Sequence, residues 1–216
     1  MTMHAHAHQD MQHEAPDRYD EPLAPAWDVG RPQRAVYELE LAGRIGKEVL
    51  DIGCGNGEHA LWLARRGHVV CGVDPSAQAI GRAQRRARRE GPTAVGVVGF
   101  VVGQVGAGVG QVGDGAWKRK FDCALDAGSF HRVPVAERAA YAHALATVVK
   151  AGGHAFVLCF ADREKGRGGP TRVTREELAA TFAGDEWKVE AVDESIVESR
   201  LFPGGAAGWL LTAVRR

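Results

Sequence analysis

Residues 49 to 58 read Val-Leu-Asp-Ile-Gly-Cys-Gly-Asn-Gly-Glu, a short apolar run that ends in a carboxylate and passes into three glycines at alternate positions. A glycine turn that opens a helix lets a ligand approach the backbone and leaves the first N–H groups of the helix free to bond it. The dinucleotide fingerprint spaces its glycines G-x-G-x-x-G and sets a pyrophosphate on that helix end. Here Gly57 comes one residue early and Glu58 holds the fingerprint's third position. Asp51, two residues before Gly53, opposes a pyrophosphate and favours an ammonium or hydroxyl group.

The next apolar run, Val69-Val70-Cys71-Gly72-Val73, also ends in a carboxylate, Asp74. At the tip of a neighbouring strand such a group accepts hydrogen bonds from a ribose diol. A ligand with a ribose, a cationic amino-acid end and no phosphate is S-adenosyl-L-methionine. Two alternatives stand beside this reading. One is an NAD-dependent oxidoreductase of the dinucleotide fold, which the early third glycine disfavours; the other is a non-catalytic S-adenosylmethionine-binding protein.

These residues need a frame to hold them. Strands are expected at Glu48–Ile52, His68–Val73, Ala94–Val102, Asp122–Asp126 and His154–Phe160, with helices at Glu58–Arg66, Ala77–Glu90 and Val135–Val149. A further helical pattern runs from Gln33 to Ala42. Strands alternating with helices imply right-handed crossovers and a parallel sheet covered on both faces. Thr174-Arg175-Glu176-Glu177 is a capping box that opens a helix through about Phe182. Beyond it, Trp187–Glu198 and Ala207–Val214 are strand-like, joined by Pro203-Gly204-Gly205 with no helix between, so they should pair antiparallel.

Asp51–Gly57 followed by Asp74, Asp122–Asp126 with Ala127-Gly128, and the Lys150-Ala151-Gly152-Gly153-His154 turn together resemble the class I S-adenosylmethionine-dependent methyltransferases. The resemblance runs from about Trp27 to the C-terminus. It implies an α/β, Rossmann-like, doubly wound sheet of seven strands in the order 3-2-1-4-5-7-6, with strand 7 antiparallel. Residues 25–33, Pro-Ala-Trp-Asp-Val-Gly-Arg-Pro-Gln, and 126–131, Asp-Ala-Gly-Ser-Phe-His, are similar to the small-molecule branch related to thiopurine, thiol and halide methyltransferases. The implied reaction is methyl transfer to a small-molecule acceptor, a thiol among the candidates. Membership gives Asp51 and Gly53 to the methionine end of the cofactor, and Gly55 and Asn56 of the same turn count among the residues that bind it. It gives Asp74 and Pro75 to the ribose and adenine, and Asp126 with Ala127 to the region near the methyl donor. Where the family carries an acidic residue for the adenine amino group, this chain reads Gly103-Gln104-Val105-Gly106-Ala107-Gly108. Gln104 through its amide oxygen, or Asp114 reaching back, would have to take that place.

Methyl transfer from a sulfonium is an in-line displacement, so the protein mainly aligns the reactants and excludes water. A thiol of pKa about 8.5 barely needs a base, whereas a phenol of about 10 does. His131, just past the fourth strand, is the candidate for base or substrate orientation, or else a loop histidine tied to backbone. Asp126 is the second catalytic candidate, with a strand cap as its structural alternative. Trp27 folds over cofactor or substrate, or staples the N-terminal segment down. Phe130 and Phe160 line an apolar pocket or belong to the core. No metal is called for.

The rest of the 216 residues bounds the reading. With 27 Lys+Arg against 27 Asp+Glu the net charge is zero, which removes the electrostatic reason to expect nucleic acid or an anionic membrane surface. Arg82, Arg85, Arg86, Arg88 and Arg89 therefore read as cations complementing a helix C-terminus. Cys54, Cys71, Cys123 and Cys159 form no C-x-x-C pair, the usage of free thiols in the cytoplasm. The uncharged stretch from Gly91 to Gly113 holds eight glycines, too many for a membrane span. Residues 1–22, with His4, His6, His8 and His13, read as a flexible tail, and 23–216 as one methyltransferase domain, expected to act as a monomer.

Overall fold

The computed structural model describes residues 27–91, 96–105, 120–164 and 171–216. The expected histidine tail, Ala94, the glycine-rich loop after Val105 and Asp114 lie outside the described residues.

The chain enters through α1 (Arg34–Leu41) and then alternates β1 (Glu48–Ile52), α2 (Glu58–Arg65), β2 (Val69–Asp74), α3 (Ala77–Glu90) and β3 (Val97–Val102). It returns through β4 (Phe121–Ala127), α4 (Arg138–Val148) and β5 (Val149–Phe160), then closes with α5 (Arg175–Thr181), β6 (Trp187–Ser199) and β7 (Phe202–Arg215). The seven strands order as β3-β2-β1-β4-β5-β7-β6. The first five pair in parallel, and β7 runs antiparallel to both β5 and β6. The strand order and the antiparallel hairpin are those expected.

Central strands are buried on both faces, as parallel crossovers require. Leu50 and Ile52 of β1 point to a core that holds Tyr141 and Leu145 of α4, Leu178 of α5 and Phe182 just beyond its end. Val49, just before them, points the other way, to Val36, Leu39 and Leu63 of α1 and α2. Alternation along one strand thus fixes which helices cover which face. Helix starts follow local chemistry: the Ser76 hydroxyl accepts from the Ala79 amide at 3.2 Å, and Thr174 with Glu177 closes the expected capping box.

Three boundaries differ from expectation. Helix α4 begins only at Arg138, after a single 3-10 turn at Val135–Glu137 that follows Pro134. Strand β5 starts at Val149, so residues 150–153 belong to it, with a register shift against β4 between Phe121 and Cys123. Pro203-Gly204-Gly205 is not the hairpin turn. Ser199 pairs with Phe202, Arg200 and Leu201 make the turn, and the two glycines sit within β7 at φ +86° and +85°. A side chain on Gly205 would run into Ile196 of β6. No helix among the described residues is long and apolar enough to cross a membrane.

Candidate active site

A cavity of about 330 Å³ opens at the carboxyl ends of β1, β2 and β4, where the strand order reverses. Open α/β sheets bind ligands at this kind of switch point. Its floor on the β1 side is the glycine turn. Gly53 and Gly55 have φ of +64° and +53°, and a Cβ on either would collide, at 2.6 Å from the Ser129 Cβ and 2.9 Å from the Trp27 ring. The turn is held from outside. The Cys54 amide donates to the Val73 carbonyl at 3.0 Å and the Gly55 amide to Asp74 Oδ2 at 3.0 Å. The Asn56 side chain donates to Asp28 at 2.7 Å and accepts from Arg82 at 3.0 Å, while Arg86 reaches the Asn56 carbonyl at 3.1 Å. Arg82 and Arg86, expected as cations at a helix end, are struts of this turn.

The sequence-derived cofactor residues separate into two groups. Trp27, Gly53, Asn56, Asp74, Pro75, Gln104 and Ala127 stand on the cavity wall. Asp51, Gly55 and Asp126 stand behind it. Trp27 is half exposed and covers Gly55. Asp74 also accepts from the Ser76 amide at 2.8 Å, and its main-chain carbonyl takes the Gly103 amide at 3.0 Å, which sets Gln104 and Val105 beside it.

Asp51 is fully buried, and neither oxygen receives a well-formed hydrogen bond from the described residues. Burial, followed by the negative charge of Asp126, pushes its pKa up to about 8; the Ala60 amide opposes this and Asp74 adds to it. A buried carboxylate left in that condition is stabilised by an arriving cation. S-adenosylmethionine carries such a cation, an ammonium, next to a ribose that Asp74 is placed to meet, so the residues present fit it.

Asp126, expected as a catalytic residue or a strand cap, has both carboxylate oxygens engaged. Oδ1 accepts from the amides of Gly128, Ser129 and Phe130 at 3.2, 2.6 and 3.2 Å. Oδ2 accepts from the hydroxyls of Ser129 and Tyr141 at 2.6 and 2.7 Å. A carboxylate that is fully buried and holds five donors fixes the loop after β4 and offers nothing to a substrate. What it fixes is Ala127, Gly128 and Ser129 on the wall, and then His131.

The His131 ring lines the cavity, is buried, and stands edge-on to Phe160 with centroids 4.9 Å apart. Its Nδ1 has no hydrogen-bond partner among the described residues. Burial, with a smaller contribution from the Arg132 charge, pushes its pKa down to about 4, so the ring is neutral at pH 7. Phe160 lines the cavity, whereas Phe130 is wholly buried in the core against Tyr141.

The far wall is a strap, residues 27–33, tied to the end of β6. Arg31 makes a two-pronged pair with Glu198 at 3.0 and 2.6 Å, and the Arg34 amide donates to the same carboxylate at 2.8 Å. The Gln33 amide N–H donates to His59 Nε2 at 3.2 Å. Glu198, Gln33, His59 and Tyr141 are site residues that sequence reading missed. Only the strap itself carried a signal, in the resemblance of residues 25–33.

The chain matches the family model described as "Methyltransferase domain" over residues 49–153. It is 31% identical over 183 residues to the 2-heptyl-1-hydroxyquinolin-4(1H)-one methyltransferase of Mycobacteroides abscessus, covering 84% of this chain and 74% of that one. Among solved structures, the protein described for conversion of a disulfide bond into a thioacetal group during echinomycin biosynthesis superposes with a TM-score of 0.73 at 30% identity, covering 88% of this chain and 84% of that one. The magnesium protoporphyrin IX methyltransferase of Synechocystis PCC 6803 with bound S-adenosylmethionine shares the fold, with a TM-score of 0.62 at 20% identity over 84% of this chain and 76% of that one.

The fold, the glycine turn and its flanking carboxylates define an enzyme of the Rossmann-like methyl-transfer class, and the oxidoreductase alternative falls away. The chain belongs to the class I S-adenosylmethionine-dependent methyltransferases.

Proposed function

We propose that this enzyme methylates an acidic nucleophile on a small, largely apolar molecule, with a thiol as the simplest case. His131 carries the reading: the imidazole on the cavity wall is neutral and weakly basic, its pKa pushed down to about 4 by burial. So weak a base takes a proton poorly from a phenol of pKa about 10, whereas a thiol of about 8.5 ionises in part without help. Asp126 is saturated with donors and cannot replace it. His131 therefore orients the acceptor as a neutral ring on the cavity wall, and Phe160, Phe202, Val133 and Leu201 give the acceptor an apolar wall and keep water out.

When bound, S-adenosylmethionine supplies a methyl group on a sulfonium, an electrophile that needs only aligned approach. Asp51 would balance its ammonium, and Asp74 would take the ribose. Pro75 and Gln104 would hold the adenine, with Gln104 standing in for the family's acid. Trp27 and Ala127 would close around the reacting end, and Gly55 and Asn56 shape the turn. The four free thiols fit a reducing, cytoplasmic compartment.

The relatives favour the same side of the choice, one being named for a compound with a hydroxyl on its ring nitrogen and another described for chemistry at a disulfide. Transfer of a labelled methyl group to a panel of thiols, N-hydroxy heteroaromatics, phenols and amines tests the proposal. Transfer confined to phenols or amines would refute it. Tight S-adenosylhomocysteine binding without transfer to any member would favour a binding protein instead.

A further inference from the structure

Arg132 closes the 3-10 turn Phe130–Arg132, and its exposed side chain stands on the cavity wall beside His131. Its backbone position is rigid. The Arg132 amide donates to the Ser129 carbonyl at 3.0 Å, and the Ser129 and Phe130 amides are held by Asp126.

The other charges on that wall are engaged. Arg31 is paired with Glu198, Glu58 with Arg86 at 2.5 Å, and Asp28 with Asn56 and the Gly30 amide. Asp74 lies at the ribose end and accepts from two amides. Of the groups packed next to the turn, Arg138 lies 5.2 Å over the Phe130 ring and 3.7 Å from Glu177, and Tyr141 donates to Asp126. Among the described residues no carboxylate pairs with Arg132. A guanidinium with five donors in a fixed fork, facing a cavity and unpaired, is a site for an anion.

We infer that the acceptor is taken up as an anion, and that Arg132 selects for it and holds its charged group against His131. The inference rests on the methyl-transfer reading and deepens it. The field of Arg132 already reaches this point, since it is the second cause that keeps His131 neutral. The same field favours the ionised form of any acidic group lying there. Ionisation then needs no protein base. The acceptor's proton goes to water, its electron pair forms the new bond to the methyl carbon, and the carbon–sulfur bond breaks with its pair passing to sulfur. An anion and a sulfonium thereby become two neutral groups. The methylated product has lost the charge that Arg132 held, so transfer itself weakens retention and favours release.

The test uses two chromophoric probes, 4-nitrophenol and 4-nitrothiophenol, titrated by absorbance on protein saturated with S-adenosylhomocysteine. On the wild type at least one probe should bind and ionise at lower pH than it does in water. Arg132→Gln should cut the preference for the anion by roughly tenfold, and Arg132→Lys should keep most of it. Binding of neither probe, an unchanged ionisation on the wild type, or the same shift in Arg132→Gln would each overturn the inference. Calorimetry with S-adenosylhomocysteine separates the two levels: no binding to the wild type sinks the methyl-transfer reading as well, whereas binding with no effect on the probes sinks the Arg132 assignment alone.

Discussion

Gln33 and Glu198 lie 165 positions apart in sequence and bond to each other as neighbouring strands do. The Gln33 amide group donates to the Glu198 carbonyl at 2.9 Å, and its oxygen accepts from the Glu198 N–H at 2.8 Å. A buried side chain thus stands in for a strand and pins the strap to the edge of β6, where the Glu198 carboxylate also takes Arg31 and the Arg34 amide.

Gln33→Ala removes two partly buried hydrogen bonds and should destabilise the enzyme by about 1–2 kcal/mol, read as a lower unfolding midpoint in urea. Glu198→Ala frees Arg31 and should raise KM for the acceptor severalfold with a smaller change in kcat, because the ion pair it breaks holds the cavity wall and takes no part in the transfer. A Glu198→Ala enzyme with unchanged KM would show that the strap is not part of the acceptor site.

Asp51 gives a prediction with a definite sign. Its folded pKa is raised, to about 8, above the ordinary carboxylate value, so between about pH 4 and 8 the folded chain holds a proton that the unfolded chain has lost. Stability contributed at this site therefore falls as pH rises through that window, and Asp51→Asn should melt higher than wild type at pH 8. The same variant should bind S-adenosylmethionine at least about 30-fold more weakly, having lost a buried charge partner. In the wild type at pH 7, cofactor binding should release a proton, seen as a dependence of calorimetric enthalpy on the buffer's ionisation heat. A variant that binds as tightly as wild type would remove Asp51 from the site.

The glycine turn, Asp74 and the sheet order were legible because each follows from local pattern: a strand, a tight turn and a helix in succession, repeated. Asp126 was legible at the strand tip as a catalytic group or a cap, but not in the partners that hold it. Its five donors include Tyr141, fifteen positions on, which only the packing of α4 against β4 brings to it. The strap's partner Glu198 was invisible for the same reason at greater distance. Arg82 and Arg86 were read as helix-end cations because nothing in α3 alone shows that its side chains reach Asn56 across the turn. The hairpin was placed late because Pro203, Gly204 and Gly205 have the composition of a turn, while the structure carries them within β7 and uses Gly205 for close contact with Ile196 of β6.

His131 should leave no trace in the pH profile near neutrality. Its pKa is lowered to about 4, so it is neutral both below and above pH 6.5. The pH dependence of kcat/KM should instead follow the ionisation of the acceptor, moving when a more acidic acceptor is supplied. His131→Gln keeps a hydrogen-bonding group and should retain more activity than His131→Phe, with the loss falling mainly on KM. An inflection near pH 6.5 that vanishes in both variants would restore His131 as a titrating base.

Tyr141 and Asp126 should behave as one unit. The Tyr141 hydroxyl donates to Asp126 at 2.7 Å in the core, and Asp126 in turn holds the amides that place His131 and Arg132. Tyr141→Phe removes one donor from a carboxylate that keeps four others, and should cost about 1–2 kcal/mol of stability. Asp126→Asn retains one oxygen acceptor but replaces the other with an amide donor facing donors, so it should cost more, about 3 kcal/mol or above. Because Asn no longer accepts from the phenol, adding Tyr141→Phe to Asp126→Asn should cost little further. A double-mutant cycle in urea measures this coupling, and strict additivity of the two losses would show that the hydroxyl and the carboxylate act independently.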